Sequence, residues 1–169
     1  MTAPRSRLAR GGGATNAGWF AFVAVLAFGV VVAALVSQHV FEMQPCPWCV
    51  LQRLIFVAIG VFAVLGLVWR GPAGSRVAGT FALLLAIAGI AAALWQHFVA
   101  AKSASCNLTL ADRVMSASQL DRLLPDVFEA RASCADAAVA LLGVPYAMWS
   151  ALAFVICAVV LLRILRRSA

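Results

Sequence analysis

The property that constrains this chain most is uninterrupted apolar length. The run "AFVAVLAFGVVVAALV", residues 21–36, carries no charge and no alternation of apolar with polar side chains. A helix needs about 20 mostly apolar residues to cross the hydrocarbon of a bilayer, and four segments supply them: 17–37, 50–69, 77–99 and 145–162. Spanning strands would need alternating segments of about 10 residues, which these runs lack. At 64% hydrophobic and 11% charged residues the chain is too apolar for a water-soluble domain. The expectation is an all-α membrane protein: a single integral membrane domain over residues 1–169, built as a four-transmembrane-helix bundle with both termini on one side.

Charge placement orients the bundle. Arg5, Arg7, Arg10, Arg70, Arg76, Arg163, Arg166 and Arg167 fall at the termini and in the short connection "RGPAGSR", whereas Glu42, Asp112, Asp121, Asp126, Glu129 and Asp136 fall in the other two loops, 38–49 and 100–144. Lysine and arginine near span ends mark the cytoplasmic face. Both termini are therefore expected in the cytoplasm and both cysteine-bearing loops outside. The arginines flank spans singly or in threes and form no basic stripe with aromatics, so the net charge of +7 reads as topology and not as nucleic-acid binding. The first span follows "RSRLAR", but its apolar core of about 20 residues exceeds the roughly 7 to 15 of a secretory signal, and no A-x-A site precedes Cys46; a retained helix is expected. Trp19, Trp48, Trp69 and Trp95 lie at span ends as an aromatic belt, and Gly60, Gly66, Gly79 and Gly89 permit close helix approach.

Five cysteines carry the chemistry. Cys157 lies mid-span and reads as a small buried hydrophobe. Cys46, Cys49, Cys106 and Cys134 fall in the outer loops, where an oxidising compartment lets disulfides persist. Four cysteines permit three pairings; since Cys46 and Cys49 share one Cys-x-x-Cys, Cys106 and Cys134 form the natural second pair across 27 intervening residues. Such a loop-closing pair serves well as a staple. A bridge over two residues gains little loop entropy, so stapling explains the Cys-x-x-Cys poorly. A tetrahedral zinc site usually shows two close pairs, and here the second is widely split.

The stretch "CPWCVLQR" favours redox work. Proline suits the first helical position and disfavours helix before it, so Cys46 reads as the N-cap and Pro47 as the start of the second span. Cys49 then sits in the first turn, where the helix dipole favours a thiolate, the nucleophilic form. Arg53 lies one turn further on the same face. An arginine inside a span marks a site by default, although a snorkelling guanidinium is the plainer alternative. A membrane dithiol must pass two electrons somewhere, and the chain carries no haem Cys-x-x-Cys-His, nucleotide fingerprint or iron-sulfur cysteine run. A lipid-soluble quinone is the natural acceptor. His97, with Gln96 at the outer end of the third span, is placed to hydrogen-bond such a ring; His39 reads as an interface residue.

These features together resemble the DsbB family, membrane quinone reductases that reoxidise the periplasmic thiol oxidase DsbA. The resemblance covers almost the whole chain: four spans, a Cys-x-x-Cys with an arginine four residues on, a cysteine pair in a longer second outer loop, and "LGVPYAMWS" opening the last span. Gln52 just before Arg53, and a linker of only eight residues from His97 to Cys106, depart from the family pattern. The resemblance implies residence in the bacterial inner membrane, a DsbA-like periplasmic partner, and ubiquinone or menaquinone as cofactor. It implies that the partner attacks Cys106 of a Cys106/Cys134 disulfide, that Cys134 exchanges with Cys46, and that Cys49 then serves the quinone beside Arg53 and His97. It implies no metal.

The long loop must then move, and "SASQLDRLLPDVFEARA" suits that role. Leu120, Leu123, Leu124, Val127 and Phe128 follow an amphipathic helical pattern interrupted near Pro125, giving a short interfacial helix on the outer leaflet or an ordinary packed surface helix. Two other functions remain open at this stage: a DsbI-like oxidase serving another dedicated partner, and a non-enzymatic assembly or metal-handling membrane protein.

Overall fold

Four long helices dominate the chain: α1 (Arg10–Val40), α2 (Pro47–Val68), α3 (Pro72–Phe98) and, as the last element, α7 (Tyr146–Ser168). The structure is a computed structural model that describes residues 10–69, 71–102 and 110–168, with side chains described from residue 16 onward. All four helices are long and apolar enough to cross a membrane. At about 1.5 Å per residue the 22 residues of α2 reach about 33 Å, enough for a hydrocarbon layer of about 30 Å. The helices extend beyond the apolar runs from which they were expected: α1 continues past Ser37 to Val40, α3 starts at Pro72 within "RGPAGSR", and α7 carries its arginines to Ser168. Helical backbone continues into the interface because its hydrogen bonds are satisfied within the segment.

The bundle is a ring in which α1 and α3 each pack against both α2 and α7. Across its centre the rings of Phe56 and Phe154 stack with centroids 3.8 Å apart and planes 4° from parallel. Phe20, Val23, Ile59, Leu161 and Ile164 fill the layers below. Lipid offers apolar surface as good as a neighbouring helix, so association depends on close packing and small residues. Gly89 shows the requirement: a Cβ there would collide with the Phe154 ring. Gly60 and Gly66 give the same clearance, with Phe28 and Phe20 each 2.7 Å from where a Cβ would sit. At the arginine end, Asn16 Nδ2 donates to Ser168 Oγ at 3.0 Å and Arg76 Nε to the Ser168 carbonyl at 2.7 Å, tying α1, α3 and α7 together.

At the opposite end the segment between α3 and α7 folds over the mouth of the bundle. It contains α4 (Leu110–Ser118), α5 (Leu120–Leu123) and α6 (Pro125–Phe128), then a hairpin of β1 (Ala140–Leu141) and β2 (Val144–Pro145). The amphipathic stretch is thus broken twice, at Gln119, whose φ is 54°, and at Leu124, held out of helix by the following proline. Its apolar residues divide: Phe128 and Met115 bury against Val50 of α2, with Leu120 and Val127 alongside, while Leu123 and Leu124 stay exposed. The packed-surface reading describes the buried half, and Leu123 and Leu124 are the residues an interfacial helix would present.

Candidate dithiol site

The site begins with a helix cap. Proline at 47 has no N–H to lose and a φ suited to the first turn, so α2 starts there and Cys46 becomes its N-cap in extended conformation. The cap side chain accepts the Cys49 backbone N–H, at 3.3 Å. Cysteine here fills the place usually taken by serine, threonine or aspartate, and the consequence is that the two sulfurs are held together, 2.9 Å apart. Rotation of two side chains closes that gap to the ~2.05 Å of a disulfide.

Cys134 reaches the same point from the loop. The backbone N–H groups of Arg131 and Ala132 donate to the Pro45 carbonyl at 2.9 and 3.2 Å, fixing the loop one residue before the cap. A turn then follows in which Ser133 Oγ bonds Asp136 Oδ2 at 2.5 Å and the Ala137 N–H donates to the Ser133 carbonyl. This turn buries Cys134, 1% exposed, with its thiol in hydrogen-bonding contact with that of Cys46. Cys46 therefore has sulfur on both sides. Contact with Cys134, then with Cys49, and burial besides, push its thiol above the ordinary range, so it is protonated when reduced. Cys106 lies outside the described residues. Cys157 is buried in α7 among core residues of the bundle.

Arg53 is buried, 6% exposed, and three N–H groups of its guanidinium bond to protein acceptors. Nη1 donates to Gln38 Oε1 at 2.6 Å and to the Val127 carbonyl at 3.0 Å, and Nη2 to the Ala34 carbonyl at 3.4 Å. Gln38 Nε2 in turn donates to the Asp126 carbonyl at 3.2 Å. One buried cation thus fastens α1, α2 and the α6 end of the loop together, as its planar fork of donors allows. Arg53 and Cys49 line a common cavity of about 30 Å³ with Gln52, Gln96, Tyr146 and Ser150.

Gln96, and not His97, meets the sulfurs. Its Nε2 lies 3.1 Å from Cys49 Sγ and 3.5 Å from Cys46 Sγ, while its Oε1 accepts from Gln52 Nε2 at 2.5 Å. His97, one residue on, turns about 100° around the helix; its ring meets Phe98 edge-on and it lines a neighbouring cavity of about 210 Å³ with Gln96, Lys102, Cys134 and Tyr146. His39 is exposed. Gln38, Gln52, Tyr146 and Ser150 had no site role from the sequence alone. For the two glutamines a signal was available: amide side chains inside or at the ends of apolar spans are costly unless partnered.

The small cavity shares Val30, Tyr146 and Ser150 with an adjoining apolar groove of about 310 Å³ between α1 and α7, lined also by Trp149, Leu152 and Ile156. The cavity alone holds about one water; the groove has the room. Polar donors at the closed end and apolar walls toward the helix flanks suit a flat carbonyl compound with a hydrocarbon tail.

Comparisons with known proteins agree with this geometry. The family model for disulfide bond formation protein DsbB matches residues 16–164. A disulfide bond formation protein B of Ralstonia nicotianae is 35% identical over 88% of this chain and 92% of its own length. Those of Aromatoleum aromaticum and Cupriavidus necator are 33% and 32% identical, covering 83% and 81% of this chain and 86% and 84% of theirs. No solved structure matches the chain. A four-helix membrane bundle with a capped Cys-x-x-Cys at its mouth, matched by the family model over nearly its whole length, belongs to the DsbB family and is a membrane disulfide oxidoreductase.

Proposed function

We propose that the protein reoxidises a DsbA-like periplasmic thiol oxidase and delivers the two electrons to a membrane quinone, through Cys106 and Cys134, then Cys46 and Cys49. The observation that carries this reading is the position of Cys46, in contact with Cys134 on one side and 2.9 Å from Cys49 on the other. Exchange requires three sulfurs at one place, because a thiolate attacks one sulfur of a disulfide and the other leaves. Cys134 is the attacking thiolate, Cys46 the sulfur attacked and Cys49 the leaving group. The protonated state of free Cys46 fits the central role: it receives attack while bonded to Cys49 and does not compete as a nucleophile.

A bound quinone, ubiquinone or menaquinone, supplies an acceptor of two electrons and two protons. Arg53, Tyr146 and Ser150 are the donors that would hold its oxygens, and the groove between α1 and α7 would take its tail. Val30, Val31 and Phe56 exclude water from the Cys49 side, which strengthens every charge interaction there. The arginine-rich end faces the cytoplasm and the cysteine end the periplasm.

The test is turnover by purified protein with a reduced DsbA-like thiol oxidase and either quinone. Replacing Cys46, Cys49, Cys106 or Cys134 singly by serine should abolish steady-state oxidation of the partner, while Cys157→Ala should retain it. Full activity in Cys106→Ser would refute the two-disulfide relay.

A further inference from the structure

The relay needs a group that steadies the charge on Cys49 when its bond to Cys46 breaks, and Arg53 already commits three of its five N–H groups to Gln38, Val127 and Ala34. We propose that Gln96 is a catalytic residue of this exchange, its amide N–H holding the Cys49 sulfur as it leaves, and that Gln52 is the positioning residue that fixes which end of the amide faces the sulfurs. This rests on the thiol relay above and adds to it two residues from outside the Cys-x-x-Cys and its arginine.

A carboxamide presents two N–H donors at one end and an acceptor oxygen at the other. The oxygen end would repel an anionic sulfur, so the orientation decides whether Gln96 helps or hinders. Gln52 Nε2 donates to Gln96 Oε1 at 2.5 Å, which commits the oxygen; a reversed Gln96 would set two NH₂ groups against each other. Both amides are buried, 3% exposed for Gln52 and 5% for Gln96, so bulk water is kept away from the contact. A hydrogen bond to a charged acceptor in such surroundings is stronger than one between neutral groups. The contact is also selective, 3.1 Å to Cys49 against 3.5 Å to Cys46, and so favours Cys49 as the sulfur that bears the charge.

In the step itself the Cys134 thiolate donates an electron pair to Cys46 Sγ and the Cys134–Cys46 bond forms. The Cys46–Cys49 bond breaks and its pair remains on Cys49 as a thiolate. One disulfide replaces another, no net oxidation occurs and no proton is consumed. The Gln96 N–H strengthens its bond to Cys49 as the charge develops, which is the condition for lowering a barrier.

The experiment measures alkylation of Cys49 by iodoacetamide against pH in the Cys46→Ser protein, with peptide mass spectrometry to identify the site. Adding Gln96→Leu should move the midpoint of the profile up by about one pH unit, with roughly tenfold slower reaction at neutral pH and rates that rejoin the parent's at alkaline pH. Gln96→Glu keeps an acceptor for Gln52, preserves the shape of the side chain and places a carboxylate against the sulfur, so it should move the midpoint further. Gln52→Leu should move it in the same direction by less. Profiles for Gln96→Leu and Gln96→Glu that overlay the parent's would overturn the proposal, as would a rate lowered equally at every pH, the mark of a merely structural role. Retained turnover in Cys49→Ser would instead overturn the relay on which it rests.

Discussion

The bundle and the segment 110–145 that covers its mouth are held by different means. Inside the bundle, aromatic rings meet glycine backbones with no space to spare, as Phe154 does at Gly89 and Phe20 at Gly66. The covering segment rests on a small apolar patch around Val50, Met115 and Phe128, on the small side chains of Ala111, Cys134 and Ala137 that join the bundle core, on two bonds to the Pro45 carbonyl, and on Arg53 and Gln38. Close packing gives one arrangement, whereas a few separable contacts open at low free energy. The difference matches the division of labour. Cys46 and Cys49 belong to the closely packed part, and Cys134 to the segment that the proposed relay requires to move.

The sharpest way to break this comparison is to fill the bundle. Gly89→Leu would drive four carbons into the Phe154 ring, and overpacking of this kind costs about 1 to 3 kcal/mol or more. Thermal unfolding in detergent should show a clear drop, while Leu123→Ser in α5, at a side chain 72% exposed, should stay within about 0.5 kcal/mol. Equal losses at the two positions would remove the distinction between packed and lightly held regions.

A second variant acts on the junction between them. Arg53→Met leaves the Gln38 and Val127 acceptors without their donor, each loss worth about 1 to 3 kcal/mol in a buried setting. Hydrogen exchange around residues 125–132 should accelerate, and the apparent KM for quinone should rise by roughly tenfold or more. Arg53→Lys keeps the charge but not the fork and should fall between. Unchanged exchange and unchanged quinone kinetics in the methionine variant would return Arg53 to a snorkelling role.

Much of the closely packed part was legible in the sequence. Apolar length announced the four helices, and Pro47 placed the N-cap on Cys46 because a residue that lacks an N–H and fixes φ starts helices. Arg53 stood out because charge inside a span is expensive. The covering segment was less legible. Its longest helix, α4, is amphipathic and buries Ala111 and Met115, yet it lies mostly before the stretch read as helical, which began at Ser116; the interruption near Pro125 was expected, whereas the left-handed Gln119 that separates α4 from α5 answers to no local rule. Gln96 and His97 are neighbours in sequence and share one cavity, but one step of helical rotation also carries the Gln96 amide to the Cys46 and Cys49 sulfurs and into the cavity with Arg53. Periodicity alone does not resolve such a step at a helix end.

A smaller effect sharpens the role of Cys46. Its raised thiol pKa means that the reduced, folded protein holds a proton there which the unfolded chain, with a thiol pKa of about 8.5, releases. The resulting stability is complete below about pH 8.5 and is lost as pH rises toward the folded value. Reduced protein should therefore unfold at progressively lower temperature above about pH 8.5, and Cys46→Ser should lack that part of the slope. A slope identical in the two proteins would contradict the buried, protonated state of Cys46.

The central claim is that Cys46 is shared between the loop and the helix, and disulfide mapping tests it most directly. In a Cys49→Ser, Cys106→Ser double variant exposed to a mild oxidant, the sulfur contact between Cys134 and Cys46 should yield an intramolecular Cys46–Cys134 disulfide, identified as a linked peptide pair by mass spectrometry, with Cys157 remaining free. A protein in which Cys46 and Cys134 both stay open to alkylation, or in which Cys134 forms only intermolecular links, would contradict the account.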